Sequence, residues 1–164
     1  MGEGGRVVQL ISPTKGRLTF EETMADIRSY ITGLPTSQYK IIIGTDSQIT
    51  KGETCFITAI IVHRLGKGAR YYYRRHTHRK LKSLRQRIFY ETALSLELGS
   101  MVTREFAESG AADLKVEIHI DVGHNGETRD LIREVVGMVV GSGFKARIKP
   151  EAYGASAVAD KHTK

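Results

Sequence analysis

Three acidic side chains in this sequence stand where acids are expensive: one interrupts an apolar strand, one ends a strand and one lies on the apolar stripe of a helix. Asp46 interrupts a segment that begins Ile41-Ile42-Ile43-Gly44. Asp121 ends the alternating run LKVEIHIDV and precedes Gly123-His124-Asn125-Gly126, a loop by composition. If those two strands are neighbours, their carboxylates are repelling partners, because adjacent strands lie about 4.8 Å apart. At ~4 Å and an effective dielectric near 20 the repulsion is of order 4 kcal/mol. Such a pair must share a proton or hold a cation. Glu91 adds to the pattern, since Leu84, Ile88, Leu94 and Leu98 surround it at helical spacing and place it on an apolar stripe. A buried carboxylate there needs a partner. Glu97 competes for the same role, and the facing of Glu91 favours Glu91. Asp160 lies in an Ala-rich tail that allows close backbone approach, although an acid near a chain end is ordinarily solvated.

The remaining chemical candidates are weaker. His119 shares a strand face with Asp121, as a ligand or, more ordinarily, as a hydrogen-bonded histidine. His76 and His78 share a face without a third partner. Cys55 stands in an apolar strand and reads as a small core residue. The phosphate loop, the dinucleotide glycine fingerprint and the nucleophile elbow are missing from the sequence.

The elements that must position these residues follow from period and punctuation. Thr19 and Glu22 form a Thr-x-x-Glu capping box. Phe20, Met24, Ile27 and Ile31 repeat at helical spacing, and Gly33 and Pro35 end that helix. Residues 40–49, 54–64 and 70–78 read as three strands joined by the glycine turns Lys51-Gly52 and Gly66-Lys67-Gly68, hence as an antiparallel meander. Residues 83–108 read as a long helix, 114–122 as a fourth strand, 128–141 as a helix and 144–149 as a fifth strand. Strands joined through helices should run parallel with right-handed crossovers. The expectation is one α/β domain over 1–164: a five-stranded mixed sheet of order 3-2-1-4-5 with helices on both faces. Residues 1–17 are expected as a loose lead or an edge segment.

Composition narrows the setting. The chain has 164 residues and 40% hydrophobic content, enough for one full core. A single Cys excludes an internal disulfide and suits a reducing compartment. The opening MGEGGRVVQL has no long apolar run or small-residue cleavage site, and no stretch of 18 apolar residues occurs. A cytoplasmic location without membrane contact is therefore expected. The net charge is +7 and uneven: residues 70–87 carry eight Lys or Arg and no acid. Interleaved with aromatics, this strip reads as a phosphate-contacting surface rather than an ordinary solvated face.

Three motifs carry a family resemblance. They are Gly44-Thr45-Asp46-Ser47-Gln48, then the run from Gly123 through Thr128 and Asp130 to Ile132, and the ending from Lys149-Pro150 through Tyr153-Gly154 and Asp160 to Lys164. Together they resemble the ribonuclease H-like YkuK family over nearly the whole chain from about residue 18. The resemblance implies a ribonuclease H-like fold. Carried over from the wider superfamily, it implies a catalytic and metal-binding set of Asp46, Glu91, Asp121 and Asp160. Four carboxylates balance two Mg²⁺ or Mn²⁺ ions, which bind weakly before substrate supplies its own ligands. The implied activity is metal-dependent hydrolysis of phosphodiester bonds in RNA, DNA or a hybrid. Nucleic acid is the partner, held by Arg74, Arg75, Arg79, Lys80, Lys82 and Arg85. The alternative is a nucleic-acid-binding module that keeps the fold without cleaving.

Overall fold

The structure, a computed structural model, describes residues 8–81, 83–111, 113–124 and 126–152. Asp160 and Lys82 therefore lie outside the described residues. The elements follow the local chemistry. The chain opens with β1 (Gln9–Ser12) and β2 (Gly16–Thr19), and Thr19 then caps α1 (Phe20–Thr32). The capping box is formed: Glu22 N–H donates to Thr19 Oγ1 at 3.0 Å, and Thr19 N–H donates to Glu22 Oε1 at 2.8 Å.

The meander is β3 (Tyr39–Thr50), β4 (Glu53–Arg64) and β5 (Ala69–Arg79). Lys51 and Gly52 form the two-residue turn between β3 and β4, both with positive φ (44° and 84°), the geometry that matches the twist of a hairpin. Ser83 caps the long α2 (Leu84–Glu108), accepting from the Gln86 N–H at 3.2 Å. Then come β6 (Val116–His119), a 3-10 turn at Arg129–Leu131, α3 (Ile132–Gly141) and β7 (Lys145–Arg147). No helix among the described residues is long and apolar enough to cross a membrane.

The seven strands among the described residues join one sheet of order β2-β1-β5-β4-β3-β6-β7. The expected five-stranded sheet of order 3-2-1-4-5 is thus corrected to seven strands in this order. The extra pair is the N-terminal hairpin β1–β2, added beside β5 through the Ile11↔Tyr73 pairing. Its strands have four residues each, too short to show a period. β3 runs antiparallel to β4 and parallel to β6, and β6 runs parallel to β7.

Strand alternation divides the core. Ile41, Ile43, Ile60, Val62 and Tyr72 form one cluster with residues of α1, α2 and α3. Ile42, Cys55, Ile57, Ala59 and Ile61 form a second on the opposite sheet face, with Tyr71 and Tyr73 packed against it. Among the described residues all three α-helices contribute to the first cluster, so the expectation of helices on both faces is not met there. Gly99 is where α2 presses closest to the sheet: a Cβ there would sit 3.1 Å from Ile118 Cδ1 and 3.3 Å from Phe144 Cζ. That contact fixes the height of α2 over β6 and hence the position of Glu91 two turns earlier.

Candidate active site

The parallel pairing of β3 with β6 ends at Gly44↔His119. Asp46 and Asp121 each lie two residues beyond that bridge, Asp46 still within β3, where it pairs with Ile57, and Asp121 just past the end of β6. Asp46 is half-buried, and its Oδ1 accepts from the Ser47 N–H at 2.9 Å. The alternation that sends Asp46 to one face sends Thr45 and Ser47 to the helix-covered face. There Thr45 Oγ1 meets Thr58 Oγ1 at 2.9 Å and Ser95 Oγ at 2.7 Å. Ser47 Oγ donates to Glu91 Oε2 at 2.5 Å. These hydroxyl contacts tie α2 to β3.

Glu91 is 5% exposed, and among the described residues its Oε1 has no hydrogen-bond partner. Burial pushes its carboxyl up to about 8; the Ser47 hydrogen bond pulls the other way, and the charges on Asp46 and Asp121 add to the rise. Glu97, the competing acid, is exposed. A narrow crevice between α2 and β6 is lined by Thr45, Glu91, Ser95, His119 and Asp121.

A cation already stands at this site. Lys149 Nζ lies 2.8 Å from Asp121 Oδ1. Its ammonium is held above the usual lysine range, first by that hydrogen bond, against the effect of burial, and further by the charges of Asp121, Asp46 and Glu91. His119 is buried, and its Nε2 lies 3.3 Å from Glu117 Oε1. Burial raises Glu117, but His119, Lys40 and Arg147 together hold it below the usual carboxylate range. Among the described residues no three His, Cys, Asp or Glu side chains are grouped closely enough to hold a metal ion. The structure thus brings Asp46, Glu91 and Asp121 within electrostatic reach of one another without closing them into a ligand cage.

The matching family model is described as ribonuclease H-like and spans residues 22–164, and the acids Asp46, Glu91 and Asp121 all fall within it. This chain belongs to the ribonuclease H-like family. Among curated proteins it is 37% identical over 163 residues to the uncharacterized protein YkuK of Bacillus subtilis (strain 168), covering 92% of this chain and 94% of that relative. No solved structure gives a significant match.

The basic residues of this ribonuclease H-like chain do not form a single strip. Along β5, Arg75 and Arg79 alternate in phase with one another and out of phase with Arg74, so they divide between the two sheet faces. Arg85 is engaged, with Nη1 and Nη2 at 3.0 and 2.8 Å from the two carboxylate oxygens of Glu134 and its guanidinium 4.8 Å from the Phe89 ring centroid. His76 does have a neighbour of consequence: its Nε2 lies 2.9 Å from the Tyr90 hydroxyl, and that ring packs on Phe56. Sequence reasoning missed Ser47 and Lys149. Both carried a signal, since Ser47 is in phase with the helix-facing Ile41 and Ile43, and Lys149 is in phase with Lys145 and Arg147 opposite Glu117.

Proposed function

We propose that Asp46, Glu91 and Asp121, completed by Asp160, form a divalent-metal site for phosphodiester hydrolysis in RNA, DNA or a hybrid. The observation that carries the reading is the Glu91 carboxyl: buried, with Oε1 unpartnered among the described residues, and raised further by Asp46 and Asp121. A protein interior does not ordinarily keep such an oxygen without a partner, and a bound cation is one that this cluster of acids suits. The donor set suits Mg²⁺ or Mn²⁺, which prefer carboxylate oxygens. When bound, two such ions supply an activated water and stabilisation of the leaving oxygen.

The chain's own residues prepare for this. Ser47 orients Glu91 from β3, and the Thr45–Ser95 contact keeps α2 in place. Lys149 neutralises Asp121 and must leave it for a metal to take that oxygen. Arg74, Arg75, Arg79 and Lys80 supply charge for the substrate backbone. Asp46 stands within the strand β3, Asp121 just past the end of β6 and Glu91 on α2, on regular elements where position is best defined.

A second reading has one observation in its favour. The Lys149–Asp121 pair already neutralises an acid without a metal, as a non-catalytic nucleic-acid-binding module would allow. Incubation of purified protein with RNA, DNA and hybrid substrates in Mg²⁺, Mn²⁺ or EDTA separates the two. Cleavage that needs the metal and is lost in Asp46→Asn supports the nuclease. Binding without cleavage under every condition supports the module.

A further inference from the structure

The N-terminal hairpin does more than extend the sheet. Where β1 parts from β5 it leaves an open pocket of about 500 Å³ lined by Gln9, Ile11, Arg17, Tyr73, Arg74 and Arg75. That volume lies within the range of pockets that hold small organic groups. Three of its six lining residues are arginines, and none is an acid. Arg17 is exposed on the edge strand β2 and forms no salt bridge or hydrogen bond among the described residues. Register sets Arg17 and Tyr73 both opposite Ile11, hence on one face, and Arg75 shares that face two residues along β5 while Arg74 turns to the other. Guanidinium groups suit phosphate because their forked donors match two of its oxygens.

The pocket also has an aromatic wall. Tyr73 is half-buried, and its ring centroid lies 6.4 Å from that of Tyr71. A ring at the edge of a basic pocket is the arrangement on which an unstacked base can lie while its phosphates are held by arginine. The pocket lies on the same sheet as the acids, and register gives the span. Arg75 pairs with Ile57, and Ile57 pairs with Asp46. Two strand spacings, about 10 Å, therefore separate the backbone at Arg75 from that at Asp46.

We propose that this pocket binds single-stranded nucleic acid, with phosphate on Arg17 and Arg75 and a base against Tyr73. The inference rests on the nucleic-acid reading above and adds a contact that the strip 70–87 does not contain, Arg17 of the appended hairpin. It makes the hairpin a substrate-holding element rather than an edge cover.

The test is anisotropy of short labelled single-stranded RNA and DNA with the full chain in EDTA, so that cleavage plays no part. Wild type is compared with Arg17→Ala, Tyr73→Leu and Tyr73→Phe across a salt series, with melting curves to establish folding. Arg17→Ala should weaken binding several-fold and reduce the salt slope by about 0.7, the share of one phosphate contact on a single strand. Tyr73→Leu should lose about tenfold through stacking, and Tyr73→Phe should retain it. If wild type binds while folded Arg17→Ala binds with the same affinity and slope, the pocket is not the site, and the nucleic-acid reading stands without it. If wild type binds neither strand at any salt, the nucleic-acid reading itself falls and the pocket falls with it.

Discussion

Lys149 Nζ lies 2.8 Å from Asp121 Oδ1, and the same ammonium feels the charges of Asp46 and Glu91. A lysine thus stands where a divalent cation would have to compete. Lys149→Met should remove that competitor while keeping much of the apolar stem. The pair is partly exposed, so the metal-free protein should lose about 1 kcal/mol or less. Mn²⁺ affinity should rise about tenfold. Isothermal titration of both proteins with Mn²⁺ checks this, and an unchanged affinity would show that Lys149 does not occupy the metal's place.

Glu91 sets a pH dependence of the opposite sense to that of most carboxylates. Its folded-state pKa is raised to about 8 from an ordinary 4.5. The folded protein therefore holds a proton that the unfolded chain has released. Stability is fully present below the unfolded value and falls as pH rises towards 8. Glu91→Gln should accordingly be more stable than wild type at pH 8 by a few kcal/mol, with the gap closing below pH 4.5. Denaturant unfolding in EDTA across this range measures it; a pH-independent difference would mean that folding leaves the Glu91 carboxyl unshifted.

Asp26 gives the acid limb. It is 6% exposed and accepts hydrogen bonds from the Tyr72 hydroxyl, Lys15 and Arg70, joining α1 to β5 and to the turn of the N-terminal hairpin. Burial raises its pKa, but these partners together hold it below 3.8. Its contribution is present above the unfolded value and is lost as pH falls through the lowered one. Asp26→Asn should destabilise the protein by about 3 kcal/mol at pH 7. It should also flatten the stability curve below pH 4, as read by urea unfolding.

Arg85 separates charge from contact. Because both of its terminal nitrogens are engaged by Glu134, Arg85→Ala should leave the salt slope of nucleic-acid binding unchanged. Neutralising Arg74, Arg75, Arg79 and Lys80 together should flatten it. A slope that falls equally in both variants would place Arg85 on the substrate.

Much of this architecture is legible in the residues. The glycine turns imply the meander, and the Thr19–Glu22 box marks the start of α1. The change from twofold to helical period marks the crossovers that set β6 beside β3. The facing of Glu91 follows from its leucine and isoleucine neighbours. What escaped was short or relational. β1 and β2 have four residues each, and their strand character comes from pairing with each other and with β5. Lys149 escaped because its meaning lies in register: Glu117 faces Lys145 and His119 faces Arg147, so the next step brings Lys149 to Asp121. The strip 70–87 is continuous in sequence but divided in space, because strand alternation sends neighbouring arginines to opposite faces.

The account turns on whether these acids hold a divalent metal. Melting of wild type and Asp46→Asn across one Mn²⁺ titration tests it most directly. Without metal the variant should fold and be at least as stable, because one member of a repelling group has lost its charge. With metal the wild type should gain by mass action, about 2.7 kcal/mol at a hundredfold excess over Kd, and the variant much less. Identical responses of the two proteins to Mn²⁺ would contradict the account.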